Sequence, residues 1–178
     1  MTWPTRPSRP SKAGIDLYQT LWGVRQAILN VSAADLYHLF EQQLLPFHRR
    51  QVLHPSQQYD QSQLSVEDFK SALSTVALDL DTLPSWPAIK ELRLLANAVK
   101  HAEGKSAAGL KEVRPQLFAD PSLAMGGVTD FGIPRSIFVP LAGRDIYVTR
   151  DDLARYRSAI ATFWKEFGEA IAAHSSHH

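Results

Sequence analysis

Three times along this chain a hydroxyl residue stands three positions before an aspartate, with apolar residues just outside and just inside the pair. The segments are Val31-Ser32-Ala-Ala-Asp35-Leu36, Leu64-Ser65-Val-Glu-Asp68-Phe69 and Val148-Thr149-Arg-Asp-Asp152-Leu153. This grammar opens helices. The Ser or Thr oxygen accepts an amide hydrogen that has no partner within the helix, the acid reaches back to the cap, and the apolar pair staples the incoming chain. A chain that repeats it is committed to a largely helical fold.

Apolar spacing extends the reading. Ile15, Tyr18, Leu21, Trp22 and Leu29 recur at three and four, predicting a first helix over about 13–30. A second starts after Ser32, carries Leu36, Leu39, Phe40 and Phe47 on one stripe, and should kink at Pro46, which lacks an amide donor. A third follows Ser65, with Phe69, Leu73, Val76 and Leu80 as its buried face. A fourth starts near Pro87 and stops near Gly104, burying Ile89, Leu92, Leu95, Ala96 and Val99. A short helix is expected near 107–113. Thr149 then opens the last, with Leu153, Tyr156, Ile160, Phe163, Trp164, Phe167 and Ile171 as its stripe.

Two stretches break the helical pattern. Residues 114–135, with their prolines and the Gly126-Gly127 pair, read as a long loop. Segments 137–141 and 145–148, on either side of Ala142-Gly143-Arg144, read as a small hairpin. The expected fold is mainly all-α: a helical bundle of four to five long helices with a small inserted β-hairpin. Residues 1–11, rich in proline and arginine, form a flexible arm in this reading. Residues 12–173 form one helical domain, and 174–178 a tag or tail.

Composition narrows function mainly by exclusion. The 178 residues carry a formal net charge of +1, so no global field draws the chain to nucleic acid or membrane, and an RNA-facing surface must be a local patch. No cysteine is present, which excludes disulfides and thiolate chemistry. No apolar run approaches the ~20 residues of a membrane span, and the N-terminus lacks the apolar core of a secretory signal. A cytoplasmic location without membrane contact is the expectation, and neither cofactor nor metal is called for. His38, His48 and His54 lack the spacing of a metal site, and there is no Gly-rich phosphate loop or nucleophile elbow.

The polar face of the fourth helix is the best candidate for chemistry. Arg93, Asn97 and His101 are four apart, so they share a stripe that drifts by only about 80° over two turns, and Lys100 borders it. Histidine moves protons near neutrality, and a guanidinium or ammonium stabilises charge on a phosphoryl group. The competing reading is plain solvation, since every amphipathic helix has a polar side.

The run Glu91-Leu-Arg-Leu-Leu-Ala-Asn-Ala-Val-Lys-His101, followed by Gly104, resembles the motif helix of HEPN-superfamily domains. Those are helical bundles, often dimeric, found in RNA-cleaving toxins and phage-defence proteins. Their signature is an arginine, commonly followed by a polar residue such as asparagine, with a histidine four to six residues after the arginine. Asn97 and His101 match, but the arginine position is Ala96; Arg93 is the nearest substitute, with seven residues between it and His101. The resemblance implies a metal-independent endoribonuclease using His101, Arg93, Asn97 and Lys100, acting on RNA as a homodimer or with a cognate protein partner. Ala96 also admits a non-catalytic interaction module on the same bundle: an antitoxin, immunity or assembly partner. Arg49 and His54 have the signature's spacing too, with Pro46 and Pro55 on either side, and stand as a rival pair or as a basic helix end.

Overall fold

The computed structural model describes residues 11–58, 64–121 and 136–175. Among them run five α-helices: α1 (Lys12–Phe47), α2 (Val66–Ser74), α3 (Trp86–His101), α4 (Lys105–Val113) and α5 (Arg150–Ser175). Three of these are long, and α2 and α4 have nine residues each. The all-α reading holds, with fewer long helices than expected. Residues 1–10 and the Gly126-Gly127 portion of the expected loop lie outside the described residues; residues 115–118, at its start, form a 3₁₀ turn.

The cap signals of α2 and α5 act as written. Ser65 and Asp68 form a reciprocal box. Thr149 Oγ1 accepts the Asp152 amide hydrogen at 3.1 Å, while Asp152 Oδ2 accepts the Thr149 amide at 3.0 Å. The Ser32 signal does not act. α1 is one helix of 36 residues, capped instead by Ser11, so Ser32 sits mid-helix. With the preceding turn already helical, no amide at Ser32 is orphaned, and nothing remains for a cap to satisfy. Pro46 lies one residue before the end of α1, and the chain continues into a π-turn, His48–Val52.

The core lies between the C-terminal half of α1, α2, α3 and α5. Phe40 meets Phe163 edge to face at 5.1 Å, and Phe47, Phe69 and Phe167 close around each other at 5.6–6.3 Å. The expected buried face of the first helix is displaced. Ile15, Tyr18 and Leu21 are exposed, whereas Gln26, Asn30, Ala33, Tyr37, Phe40 and Leu44 face inward. Val76 is exposed as well, and Leu80 is buried from a separate 3₁₀ turn beyond α2.

No strand forms among the described residues, and the expected hairpin is absent. Its backbone groups bond elsewhere. Asn30 Nδ2 donates to the carbonyls of Pro140 and Ile146, both at 2.8 Å, and Asn30 Oδ1 accepts the Val148 amide at 3.3 Å. Gln26 Nε2 donates to the Val148 carbonyl at 3.0 Å. Asp145 Oδ2 takes the amides of Phe138 and Val139, and the Tyr147 amide reaches the Leu117 carbonyl. Two buried amide side chains on α1 thus replace a ladder. Pro140 opens a 3₁₀ turn where the ladder would need a donor. The turn ends at Gly143 (φ 75°), pressed so close to α1 that a Cβ there would lie 2.1 Å from the Gly23 carbonyl oxygen.

Candidate functional site

α3 is fixed at both ends. At its start, Glu166 of α5 accepts the Ser85 amide (3.1 Å) and hydroxyl (2.6 Å), an N-terminal cap supplied from another helix. At its end, Ala102 turns to φ 59° and Gly104 to φ 131°, so only three residues separate α3 from α4. α4 folds back on α3, with Gly109 against Leu94. The free carbonyls of one helix end therefore lie beside the free amides of another helix start.

At this junction an open recess of about 330 Å³ is lined by Asn97, His101, Glu103, Gly104, Lys105 and Ser106, among others. Asn97 is half-buried and His101 exposed. Lys100 is exposed and lies beside the recess rather than in its lining. Ala96, at the position of the motif arginine, is fully buried on the core face. Arg93 is placed elsewhere: its guanidinium pairs with Glu67 of α2 and lines a smaller recess with Tyr37, Lys70 and Lys90. The structure thus joins Asn97 with His101, sets Lys100 alongside, and turns Arg93 away. The cation that does line the recess is Lys105. Helical spacing could not reveal it, because Gly104 interrupts the helix before it.

The rival pair does local work. Arg49 lies in the π-turn and donates to the Gln58 carbonyl, while His54 Nδ1 accepts the Ser56 amide (3.3 Å) and caps the 3₁₀ turn Pro55–Gln57. Between α1 and that turn His48 is buried, its ring edge-on to Phe69 at 5.3 Å. Neither ring nitrogen meets a partner among the described residues. Burial lowers the His48 pKa, the Arg49 charge adds to this, and the Asp68 carboxylate opposes it.

A second polar cluster went unseen in the sequence. Glu91 of α3 accepts hydrogen bonds from Arg114 (2.9 Å), Tyr156 (2.6 Å) and Arg155, and Arg114 also pairs with Asp152 at 2.6 Å. Burial, reinforced by Glu91, raises the Tyr156 phenol pKa. Burial resists charge on Asp152, but the bonds from Thr149 and Arg114 win and its pKa is lowered. Asp152, the acid of the Thr149 cap pair, is also one anchor of a clamp joining α3, the end of α4 and α5. All three donors meet Glu91 on Oε1, so this one oxygen braces α3 against α5 and the end of α4.

Among the described residues no three His, Asp or Glu side chains converge as a metal site, and no helix is long and apolar enough to cross a membrane. Fold and recess together define an all-α helical domain with an open polar junction between α3 and α4. No protein-family model, curated protein or solved structure matches the chain.

Proposed function

We propose that the chain is a HEPN-like helical domain directed at RNA, with its site at the α3–α4 junction. The observation that carries this reading is the shared recess: Asn97 and His101, the two residues that fit the motif, open into one solvent-facing space with Lys105. The start of α4 supports it, since free amides at a helix N-terminus favour an anion such as a phosphodiester. Catalysis here needs no metal. His101 takes the proton of a ribose 2′-hydroxyl, whose oxygen attacks the adjacent phosphorus. The bond from phosphorus to the 5′-oxygen breaks, and that oxygen recovers a proton from the imidazolium, leaving a 2′,3′-cyclic phosphate and a 5′-hydroxyl. Lys105 and Lys100 hold the phosphate, Asn97 orients it, and Arg93 in its pair with Glu67 steadies α3 against α2.

A second reading is favoured by Ala96, whose burial leaves no room for the motif arginine. In this reading the same recess binds without cutting, and the chain is an antitoxin, immunity or assembly partner. One experiment separates the two. Purified protein is incubated with mixed-sequence RNA in chelator beside His101→Ala and Lys105→Ala variants, with binding followed by filter retention. Cleavage abolished by His101→Ala, with retention unchanged, is expected of the enzyme. Retention without cleavage, weakened by Lys105→Ala, assigns the binder. Neither retention nor cleavage removes RNA from the proposal altogether.

A further inference from the structure

The outer face of α1 carries a seam that the rest of the described chain does not use. Leu17, Leu21, Val24, Ile28 and Val31 follow one another at spacings of four, three, four and three. This is the 3.5-residue repeat that places a row of knobs along one side of a helix for insertion into a partner helix. All five are open, from 39% to 60% exposed. At about 100° per residue they cluster within an ~80° arc, diametrically opposite the inward-facing Gln26, Asn30, Ala33, Tyr37, Phe40 and Leu44. Scattered surface leucines need no explanation, but five at heptad spacing on one face do.

We propose that this seam pairs with the same seam of a second copy, the two α1 helices running antiparallel. The pattern is self-complementary in that sense. Antiparallel packing that sets Leu21 against the second copy's Val24 also sets Leu17 against its Ile28 and Gly14 against its Val31, so every layer is apolar or small. The next position of the repeat is Asp35, exposed on the same side. In a parallel pair Asp35 would face its own copy across the seam, two like charges in one layer, whereas the antiparallel register leaves it beyond the end of the contact. Flanking positions Tyr18, Thr20, Arg25 and Ala27 hold a single charge, and Arg25 already lies over the Trp22 ring at 5.3 Å, so no like-charge contact arises.

Size is sufficient. Five aliphatic side chains about half open expose on the order of 500 Å² per copy, so two copies with their flanks reach the roughly 1,000 Å² that a specific interface requires. The first turns of α1, residues 11–21, are exposed among the described residues, which leaves a second helix free to lie along them. The inference uses α1 alone and does not depend on the chemistry of the α3–α4 recess.

The absence of cysteine makes the test direct. By light scattering after gel filtration at micromolar concentration, the chain is expected at twice its 19.9 kDa. A Val24→Glu/Ile28→Glu variant is expected at the single-chain mass with unchanged helical circular dichroism. Leu17→Cys and Ile28→Cys proteins, mixed and oxidised, are expected to form the mixed disulfide dimer, while Leu17→Cys alone should form little. A wild-type chain that stays monomeric overturns the proposal, whether or not the seam then captures another partner. Efficient self-linking of Leu17→Cys without the mixed product overturns the antiparallel arrangement. If the glutamate variant fails to fold, mass and cross-linking still decide.

Discussion

Asn30 does more for the fold than any apolar residue around it would suggest. It is fully buried, and its single amide satisfies three backbone groups 110 to 118 positions away: the carbonyls of Pro140 and Ile146 and the amide of Val148. Removing it leaves the Ile146 carbonyl and the Val148 amide buried without partners, each at about 1–3 kcal/mol and partly relieved by water entering the gap, while the Pro140 carbonyl keeps only the Gly143 amide. Asn30→Ala should therefore cost about 3–5 kcal/mol in urea melts, well above the usual surface substitution. A loss under about 1 kcal/mol would mean that the 137–148 segment finds its hydrogen bonds without α1. Nothing in the sequence could have announced this role. An asparagine in a helical stretch reads as a polar, outward residue, and its partners lie at the other end of the chain. The same distance explains the false hairpin. The alternation in 137–148 is real, but strands are defined by where their amides and carbonyls go, and here they go to Asn30, Gln26 and Asp145.

Among the helices, what was legible was local. The boxes at Ser65 and Thr149 involve residues three apart, and the α5 stripe repeats within two turns, so both could be read without the rest of the fold. The box at Ser32 was equally well formed and wrong, because continuity of α1 is decided by its packing on α3 and by the 137–148 segment lying along it. Asn97 and His101 were legible for the same reason as the stripe, one turn apart on one helix. Arg93 shared their spacing, yet Glu67 on α2 claims it, and Lys105 entered only when the chain reversed at Gly104. The α5 stripe itself is graded, which yields a prediction. Phe163 is fully buried, with four aromatic neighbours at 5.1–5.7 Å, whereas Trp164 is only half-buried. Phe163→Ala should cost about 3–5 kcal/mol by chemical denaturation, and Trp164→Ala about half as much despite its larger ring. A reversal of that order would show that the α1–α5 contact centres on the indole.

The whole molecule's response to acid follows from two buried groups with depressed pKa values and opposite charge types. His48 is held neutral, chiefly by burial, so its native pKa lies below the ordinary histidine value of about 6.5. Between those values the unfolded chain binds a proton that the native chain refuses, and stability rises with pH. The contribution of His48 is complete above about pH 6.5 and is lost as pH falls below it. Asp152 is depressed by Thr149 and Arg114 against the cost of burial. Its contribution is present above the ordinary carboxylate value of about 3.9 and disappears only as pH drops through its lower native value. Acid should therefore weaken the fold in two separate stages. The first comes from a ring wedged between α1 and α2; the second comes from the clamp that joins α3, α4 and α5 through Glu91 and Arg114. His48→Phe keeps an aromatic edge against Phe69 and removes both orphaned nitrogens, so its melting temperature should exceed that of wild type by more at pH 5 than at pH 8, with the lower stage unchanged. Parallel melting curves for the two proteins across that interval would place the first stage elsewhere and leave the buried imidazole without influence on stability.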